Sequence, residues 1–485
     1  MAASFFFYDL ETSGISSSND RIMQFAGQRT DMDLKPVGGP YDIKLKLSPD
    51  ILPSAEAILL TGILPEKNNQ QGISEAEFSG IFNSEIATPD TIFIGFNNLR
   101  FDDEFIRYLN YRNFFDPYRW HWADGSSRWD LLDVVRMTRA LRPEGINWPI
   151  VNGKPSNKLE LLTKANKLTH SSAHDALSDV LATIEVAKLI KAKQPKLFNF
   201  LLKLRTKDKT IEILSSNAPF IYTSSHYPSS YLHTSAAATL SVDTSRSTAT
   251  VYDLRYDPND YVNLEPEELA ELWAYDRDRL PSDRLPIKTV KINRCPALAP
   301  ISVLDQESMT RLDLDKRKIN QNFITLGEYK EAFNKKLEQV VTILDKKQTK
   351  RQSVKRQFNP SVDAQLYDKF VPKSDQAKFD RARLLALKTQ LDIPEFEDNR
   401  LTELFKLYRA RNYPSLIDGH ERAWWKKQIQ NKLFNEDNEH QSKYKQYLER
   451  LSLLKRDFKD NKSKIKIIEE LETYAQTIAD EYGTD

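Results

Sequence analysis

Two acidic side chains near the start of the chain have the spacing of a metal site. Asp9 and Glu11 end an apolar, strand-like run, SFFFYDL, and are followed by Thr12-Ser13-Gly14. Side chains at i and i+2 of a strand point to the same face, and buried carboxylates on one face need a strong partner such as a divalent cation. The same spacing recurs at Asp305 and Asp437, where a solvated helix surface is the better interpretation.

Two later segments carry side chains of the same kind. The string IGFNNLRFDDEF predicts a strand, a polar turn and a helix that begins near Asp102, which could equally be a helix N-cap. The string HSSAHDALSDV places His174 five residues before Asp179, although by residue type His170 could serve as well as His174. Four carboxylates from three segments, with a histidine as general base, are what two-metal phosphodiester hydrolysis requires.

Length and composition limit the class of protein. With 485 residues the chain predicts two or three domains, and 40% hydrophobic with 29% charged residues is typical of a globular protein. The net charge of +1 does not by itself indicate nucleic-acid binding. The single Cys295 excludes an internal disulfide framework and favours a cytoplasmic location. We expect no signal peptide and no membrane segment, because no apolar run approaches ~20 residues.

The residue composition and hydrophobic pattern of the sequence change twice along the chain. The first ~190 residues alternate strand-like and helix-like segments, including a helical pattern over 173–191, and predict an α/β domain. Residues from about Phe200 to Val303 are rich in Ser, Thr and β-branched residues and predict a smaller β-rich domain. From about Gln306 the pattern is helical.

A basic run, DKKQTKRQSVKR at residues 345–356, lies inside this helical part. It holds six Lys or Arg residues and one Asp, a local charge of +5. A solvated linker is the commoner outcome for such a run, whereas a role at the mouth of a DNA channel or on a partner-binding ridge is the functional alternative.

The three motifs together resemble the signature of the DEDDh exonucleases. They read Asp9-x-Glu11, then N-x-x-F-D ending at Asp102, then H-x-x-x-x-D from His174 to Asp179. Longer strings narrow the resemblance to the bacterial exonuclease I family: FNNLRFDDE, YRNFFDPYRW, RWDLLDV, ALRPEGINWP, LTKAN, IKTVKINRCPALA, VDAQLY and YRARNYP. The resemblance covers nearly the whole chain and is weakest between about 215 and 283.

The resemblance implies a three-part architecture and an activity. The parts would be a ribonuclease-H-like exonuclease domain at 1–195, a β-rich Src-homology-3-like domain with a helical extension at 196–350, and a helical C-terminal domain at 357–485. The activity would be 3′→5′ degradation of single-stranded DNA to 5′ mononucleotides in DNA repair and recombination. Two divalent cations, Mg²⁺ or else Mn²⁺, would serve as cofactors.

The resemblance also implies roles for individual residues. The metal ligands would be Asp9, Glu11, Asp102 and Asp179, and the general base would be His174. The residues that contact DNA would be Glu11, Thr61, Gly62, Ile63, Arg107, Tyr118, Trp122, Arg136 and Lys158. Arg142 would help to bind the acidic tail of the single-stranded DNA-binding protein. We expect a monomer.

Aromatic and arginine side chains alternate between the second and third motifs. Base stacking on aromatic rings and phosphate contacts by arginines suit single-stranded DNA, although any given Trp is more often core. Ser13 departs from the family pattern, in which an aromatic often stands at this position.

Two other functional hypotheses are consistent with the same motifs. A compact proofreading or RNA-trimming exonuclease is disfavoured by the roughly 290 residues that follow the nuclease region. A catalytically idle DNA-binding scaffold is disfavoured because all four carboxylates and His174 are present.

Overall fold

The computed structural model describes residues 3–170, 175–274, 284–356, 361–436 and 441–483. Within these ranges the chain forms an α/β unit, a β-rich unit and a helical unit, in the predicted order.

The α/β unit is built on a mixed five-stranded sheet in the order β3-β2-β1-β4-β5. Its strands are β1 (Ser4–Thr12), β2 (Ile22–Thr30), β3 (Tyr41–Lys44), β4 (Thr91–Gly95) and β5 (Ser127–Asp130). β1 pairs antiparallel with β2 and parallel with β4, so it lies inside the sheet. This explains the run of three buried phenylalanines, Phe5 to Phe7, because both faces of the strand are covered.

Nine helices are described between β3 and the first strand of the β-rich unit, and one of them packs on β1. They are α1 (Ala55–Thr61), α2 (Pro65–Gln71), α3 (Glu75–Ile81), α4 (Asp102–Arg112), α5 (Leu131–Leu141), α6 (Leu159–Ala165), α7 (Ala176–Lys193), α8 (Pro195–Lys203) and α9 (Lys207–Leu214). A π-helical turn, Phe82–Ile86, continues α3, and a small hairpin is formed by β6 (Ile150–Val151) and β7 (Lys154–Pro155). α7 packs against β1 and β2.

The β-rich unit is a five-stranded antiparallel sheet in the order β11-β10-β9-β8-β12. Its strands are β8 (Phe220–Thr223), β9 (Thr234–Asp243), β10 (Thr248–Asp253), β11 (Ile287–Lys291) and β12 (Ala297–Pro300). Its first strand begins later than the sequence pattern predicts. Most of residues 200–214 are helical, in α8 and α9, because their apolar side chains follow a helical period and pack on the first sheet and the second.

Helices cover this second sheet. They are α10 (Pro266–Trp273), α11 (Gln306–Arg311) and the 41-residue α12 (Lys316–Arg356). α12 packs on α10 and β9. The basic run at 345–356 is the C-terminal end of α12, so its backbone is helical where a linker was the commoner expectation.

The C-terminal unit is helical throughout its described secondary structure. Its helices are α13 (Lys373–Gln376), α14 (Phe379–Leu385), α15 (Asn399–Asn412), α16 (Gly419–Ile429), α17 (Lys443–Asp457) and α18 (Lys462–Tyr482), and a π-helical segment, Gln430–Phe434, continues α16. None of the helices in the described ranges is long and apolar enough to cross a membrane.

Two apolar contacts join the C-terminal unit to the α/β unit. Phe114, with a positive φ of 57°, is inserted among Phe379, Phe396, Phe405 and Tyr408. Separately, apolar side chains of α17 and α18 pack on α1 and the turn after it. The helical unit therefore supports elements that flank the first motif.

Buried charges reinforce this junction. Arg411 on α15 contacts Asp50 and Asp363 at 2.7 Å each, while Arg21 contacts Asp363 at 3.1 Å and Lys432 contacts Asp50 at 2.7 Å. Together these side chains form a buried ion cluster.

Candidate active site

The first motif and the third meet above strand β1. Oxygen atoms of Asp9, Glu11 and Asp179 lie within 4.8 Å of one another. Asp9 and Glu11 share one face of β1, and α7 carries Asp179 across that face. Carboxylate oxygens from three positions at this spacing can share a divalent cation, which prefers oxygen ligands.

Asp102 joins this cluster from the second motif. It is the first residue of α4, is 4% exposed, and its Oδ1 accepts a hydrogen bond from the backbone N–H of Leu10 at 3.2 Å. Its carboxylate therefore lies beside β1, close enough to Asp9 for its charge to act on that carboxyl. It does not cap α4 with a side-chain hydrogen bond of its own, since the N-cap position is held by Phe101.

These acidic side chains are buried close to one another, so their ionised forms need a nearby positive charge to be stable. Burial raises the pKa of Asp9 well above its usual range, and the charges of Asp102, Glu11 and Asp179 raise it further. Burial, with Asp179 and Asp175 nearby, raises the pKa of Glu11 to about 8. Burial and the charge of Asp103 likewise raise the pKa of Asp102. Such a set is stabilised in its ionised form by a bound cation, so these residues fit a divalent metal.

One histidine of the third-motif string, His170, contacts the carboxylate cluster. His174 lies outside the described residues. His170 Nε2 lies 2.7 Å from Asp179 Oδ1. Asp175 caps α7, since its carboxylate accepts a hydrogen bond from Ser178 N at 3.2 Å.

The acidic residue after Asp102 has a supporting role. Asp103 accepts hydrogen bonds from Tyr8 Oη, from Arg128 and from Asn98 Nδ2 at 3.3 Å, and it is fully buried. This network ties the start of α4 to β1 and β5. The Arg128 guanidinium is thereby held in the interior, although Arg128 is one of the arginines between the second and third motifs for which phosphate contacts are the expectation.

Most aromatics between the second and third motifs are core, as the cautious interpretation predicts. Tyr111, Phe114, Trp120 and Trp129 are each at most 4% exposed. Trp122 is 64% exposed, so its ring is available for stacking.

Arg107 is held at the centre of a polar junction. Its guanidinium contacts Glu104 at 2.8 Å, Tyr367 Oη at 3.3 Å and His121 Nε2 at 3.3 Å, and it lies 5.6 Å from the centroid of the Tyr118 ring. This brings the predicted DNA contacts Arg107 and Tyr118 together.

The sequence did not identify Glu104 as a residue that joins the three units. Besides Arg107, it contacts Arg294 of the β-rich unit at 3.0 Å and Tyr367 of the C-terminal unit. Glu104 stands within the quoted FDDE string, but partners 190 and 263 residues away carry no local signal.

The remaining predicted DNA contacts lie on separate elements. Arg136 pairs with Asp133 at 2.6 Å, and the Lys158 side chain is 71% exposed at the start of α6. Gly62, with φ of 72°, ends α1, and Thr61 Oγ1 accepts a hydrogen bond from Ile63 N at 3.2 Å.

The loop after β1 is hydrogen-bonded to the start of α1, the helix that precedes the Thr61–Ile63 turn. Ser13 O accepts a hydrogen bond at 2.6 Å from Ser54 N at the cap of α1. Ser13 itself is buried and its hydroxyl accepts a hydrogen bond from Arg21 N, so it offers no stacking surface for DNA.

Arg142 is the residue predicted to bind the single-stranded DNA-binding protein. None of its described contacts is with the carboxylate cluster. Its guanidinium is about one-third exposed and contacts Asp305 Oδ2 at 3.2 Å and Val303 O at 2.8 Å. It therefore belongs to the seam between α5 and α11.

Family models match all three units. The model described as "Exonuclease" matches residues 6–187, "Exonuclease I SH3-like domain" matches 205–342, and "Exonuclease I C-terminal domain" matches 360–478.

Whole-length relatives agree with these matches. Exodeoxyribonuclease I of Haemophilus influenzae is 37% identical over 481 residues, which cover 97% of this chain and 98% of that protein. Exodeoxyribonuclease I of Escherichia coli K12 is 37% identical over 492 residues, which cover 98% of both chains.

Solved structures agree as well. E. coli exonuclease I in complex with a dA16 oligonucleotide has a TM-score of 0.89 at 36% identity, covering 98% of this chain and 100% of that chain. The zinc-bound form of the E. coli exonuclease I–ssDNA complex has a TM-score of 0.87 at 35% identity, with the same coverage. A complex of exonuclease I with an SSB C-terminal segment has a TM-score of 0.87 at 34% identity, covering 99% and 100%.

A nuclease sheet with clustered carboxylates, an SH3-like sheet and a helical C-terminal unit define a hydrolytic, metal-using exonuclease. The chain belongs to the exonuclease I family. The predictions of family, fold class and enzyme class are confirmed.

Proposed function

We propose that this protein degrades single-stranded DNA from the 3′ end and releases 5′ mononucleotides. The observation that carries the proposal is the convergence of Asp9, Glu11 and Asp179 within 4.8 Å, with Asp102 hydrogen-bonded beside them. Three carboxylates that converge and a fourth that is bonded to the same strand support the proposal, because two-metal hydrolysis requires such a set of ligands.

Different residues of the site would bind the metals, accept the proton and position the ligands. Asp9, Glu11, Asp102 and Asp179 would hold two divalent cations, Mg²⁺ or Mn²⁺, which stabilise negative charge on the attacking and leaving oxygens. His174 would accept the proton of the attacking water, since an imidazole with a pKa near ~6.5 is a suitable base at neutral pH. The Asp103 network would keep α4, and hence Asp102, in register with β1.

The DNA path would start at the carboxylates and continue over aromatic and basic side chains that range from the exposed Trp122 and Lys158 to the buried Arg107. Glu11 and the Thr61–Ile63 turn would contact the terminal nucleotide, and the bases behind it would stack on Tyr118 and Trp122. Arg107, Arg136 and Lys158 would contact phosphates. The relative solved with dA16 supports this class of substrate.

The acidic tail of the single-stranded DNA-binding protein is the proposed partner of Arg142. Its present partner, Asp305, has a half-exposed side chain, so an incoming carboxylate can replace it at the guanidinium without removing a buried charge. The related complex with an SSB C-terminal segment supports this partner. We further infer that the monomeric enzyme acts in the cytoplasm in DNA repair and recombination.

We infer domains at 1–195, 196–350 and 357–485. The residue ranges that the three family models match support these domains, since each matched range falls inside one of them. The alternative of an idle scaffold is disfavoured, because each of the four proposed ligands is present and the described ones converge.

A substrate panel tests the proposal. The purified chain is given 5′-labelled single-stranded DNA, blunt duplex DNA and single-stranded RNA of one sequence, in Mg²⁺ and in EDTA. We expect metal-dependent shortening of the single-stranded DNA alone. Comparable cleavage of RNA or duplex would assign a different substrate, and DNA binding without cleavage would favour the scaffold.

A further inference from the structure

His170 is buried between a helix of the fold and a metal-ligand carboxylate. Its side chain is 7% exposed. Its Nδ1 lies 3.1 Å from the hydroxyl of Thr163 on α6, and its Nε2 lies 2.7 Å from Asp179 Oδ1 on α7. Thr163 is fully buried, so the chain Thr163–His170–Asp179 connects the interior to the carboxylate cluster.

The proton positions along this chain follow from its composition. A neutral imidazole has one N–H donor and one acceptor, and a carboxylate only accepts. If His170 is neutral, Nε2 must carry the proton that faces Asp179, and Thr163 then donates its hydroxyl proton to Nδ1. If His170 is charged, both nitrogens donate and Thr163 donates to Leu159 O or Glu160 O, each 3.0 Å away. In either state Nε2–H donates to Asp179.

Both ring nitrogens of His170 are therefore engaged inside the protein. A general base must offer a free lone pair to the water that it deprotonates, and this imidazole has none to offer in the arrangement described. His170 instead resembles the hydrogen-bonded groups that orient metal-ligating carboxylates in other proteins, whose loss commonly weakens metal binding.

We propose that His170 is a positioning residue that orients the Asp179 carboxylate for metal binding, with Thr163 holding the imidazole in place. The inference rests on the proposed metal-binding role of Asp179. It assigns the two histidines of the third motif different tasks: His170 sets the affinity for the metal, and His174 performs proton transfer.

The experiment measures Mn²⁺ binding directly, from the free-ion EPR signal, in the full-length chain without DNA. We expect His170→Ala to raise the Mn²⁺ dissociation constant about 10- to 100-fold. His170→Gln, whose amide N–H can still reach toward Asp179, should recover part of the affinity. Thr163→Val, which removes only the hydroxyl that anchors the ring, should show a smaller loss than His170→Ala.

Matched variants separate the possible roles. His420→Ala removes an exposed histidine of the C-terminal unit and should leave Mn²⁺ affinity unchanged. His174→Ala should lower kcat while leaving the Mn²⁺ dissociation constant near that of the wild type. A thermal unfolding midpoint for each variant checks that the fold is retained.

Two results would overturn the inference. In the first, His170→Ala binds Mn²⁺ as the wild type does but loses turnover that saturating metal does not restore, which would make His170 the base. In the second, neither metal affinity nor turnover changes. Failure of the wild type to bind Mn²⁺ or to degrade DNA would instead contradict the proposed function, so the two failures are distinguishable.

Discussion

The carboxylate of Asp102 accepts a hydrogen bond from the backbone N–H of Leu10 at 3.2 Å, across 92 residues of sequence. Leu10 stands between Asp9 and Glu11 on β1, so this bond fixes the second motif against the first. The pKa values of Asp9, Glu11 and Asp102 are all raised by burial together with neighbouring acidic groups. A bound cation would therefore stabilise the ionised forms of these carboxylates.

Removing one carboxylate should abolish hydrolysis without unfolding the protein. Asp9→Ala or Asp179→Asn would each remove a metal ligand, and turnover on single-stranded DNA in Mg²⁺ should fall below detection. The thermal midpoint of the metal-free variants should not fall, because a repelling charge has been removed from a crowded site. Asp480→Asn, an exposed carboxylate change on α18, should leave both quantities unchanged. Near-native turnover in either ligand variant would refute the metal assignment.

Trp122 should contribute binding energy and almost no stability. Its ring is 64% exposed, so Trp122→Ala should weaken single-stranded DNA binding by about 1–3 kcal/mol, the range for one base–aromatic stack. Fluorescence anisotropy of a labelled oligonucleotide, measured in EDTA, gives the affinity. Tyr329→Ala, an exposed aromatic change on α12, is the control and should not alter it. Unchanged affinity in Trp122→Ala would remove this residue from the DNA path.

The buried ion cluster should dominate the attachment of the C-terminal unit. Arg411→Met leaves Asp50 and Asp363 buried with fewer cations, and we expect a loss of about 3–5 kcal/mol in the free energy of unfolding. Arg246→Met, which breaks an exposed pair with Asp243, should cost less than about 1 kcal/mol. Urea titration measures both, and equal losses in the two variants would contradict this account.

The same cluster predicts an acid dependence of stability. Burial disfavours the charged forms of Asp50 and Asp363, but Arg411, Lys432 and Arg21 together outweigh it and hold the pKa of both carboxyls below the usual range. A folded pKa below the unfolded value of ~3.9 means that the stabilisation is complete above that value and is lost as the pH falls.

Each such carboxyl should therefore cost about 1.4 kcal/mol per pH unit once the pH is below ~3.9. Unfolding in urea at a series of pH values between 7 and 3 gives the slope. Asp363→Asn removes one titrating group and should give a shallower acid slope than the wild type. Identical slopes would show that Asp363 titrates normally in the folded protein.

Local pattern was enough to predict which segments carry the candidate metal ligands, because each motif carries its chemistry within a few residues. Asp9 and Glu11 end an apolar strand, and Asp102 begins a helix after another, as the sequence indicated. Long-range partners were not predictable in this way. Nothing near Glu104 indicates Arg294 or Tyr367, and nothing near Phe114 indicates the aromatic pocket of the helical unit that surrounds it.

The most direct test uses the polarity of the substrate. Two single-stranded oligonucleotides carry the same 5′ label and sequence, and one of them has a blocked 3′ end. With Mg²⁺, the strand with a free 3′ end should yield a ladder that shortens one nucleotide at a time, with 5′ mononucleotides released. The blocked strand should stay intact. EDTA, or the substitution Asp179→Asn, should stop the reaction. Degradation of the blocked strand at the normal rate, or cleavage that persists in EDTA, would contradict a metal-dependent 3′→5′ exonuclease.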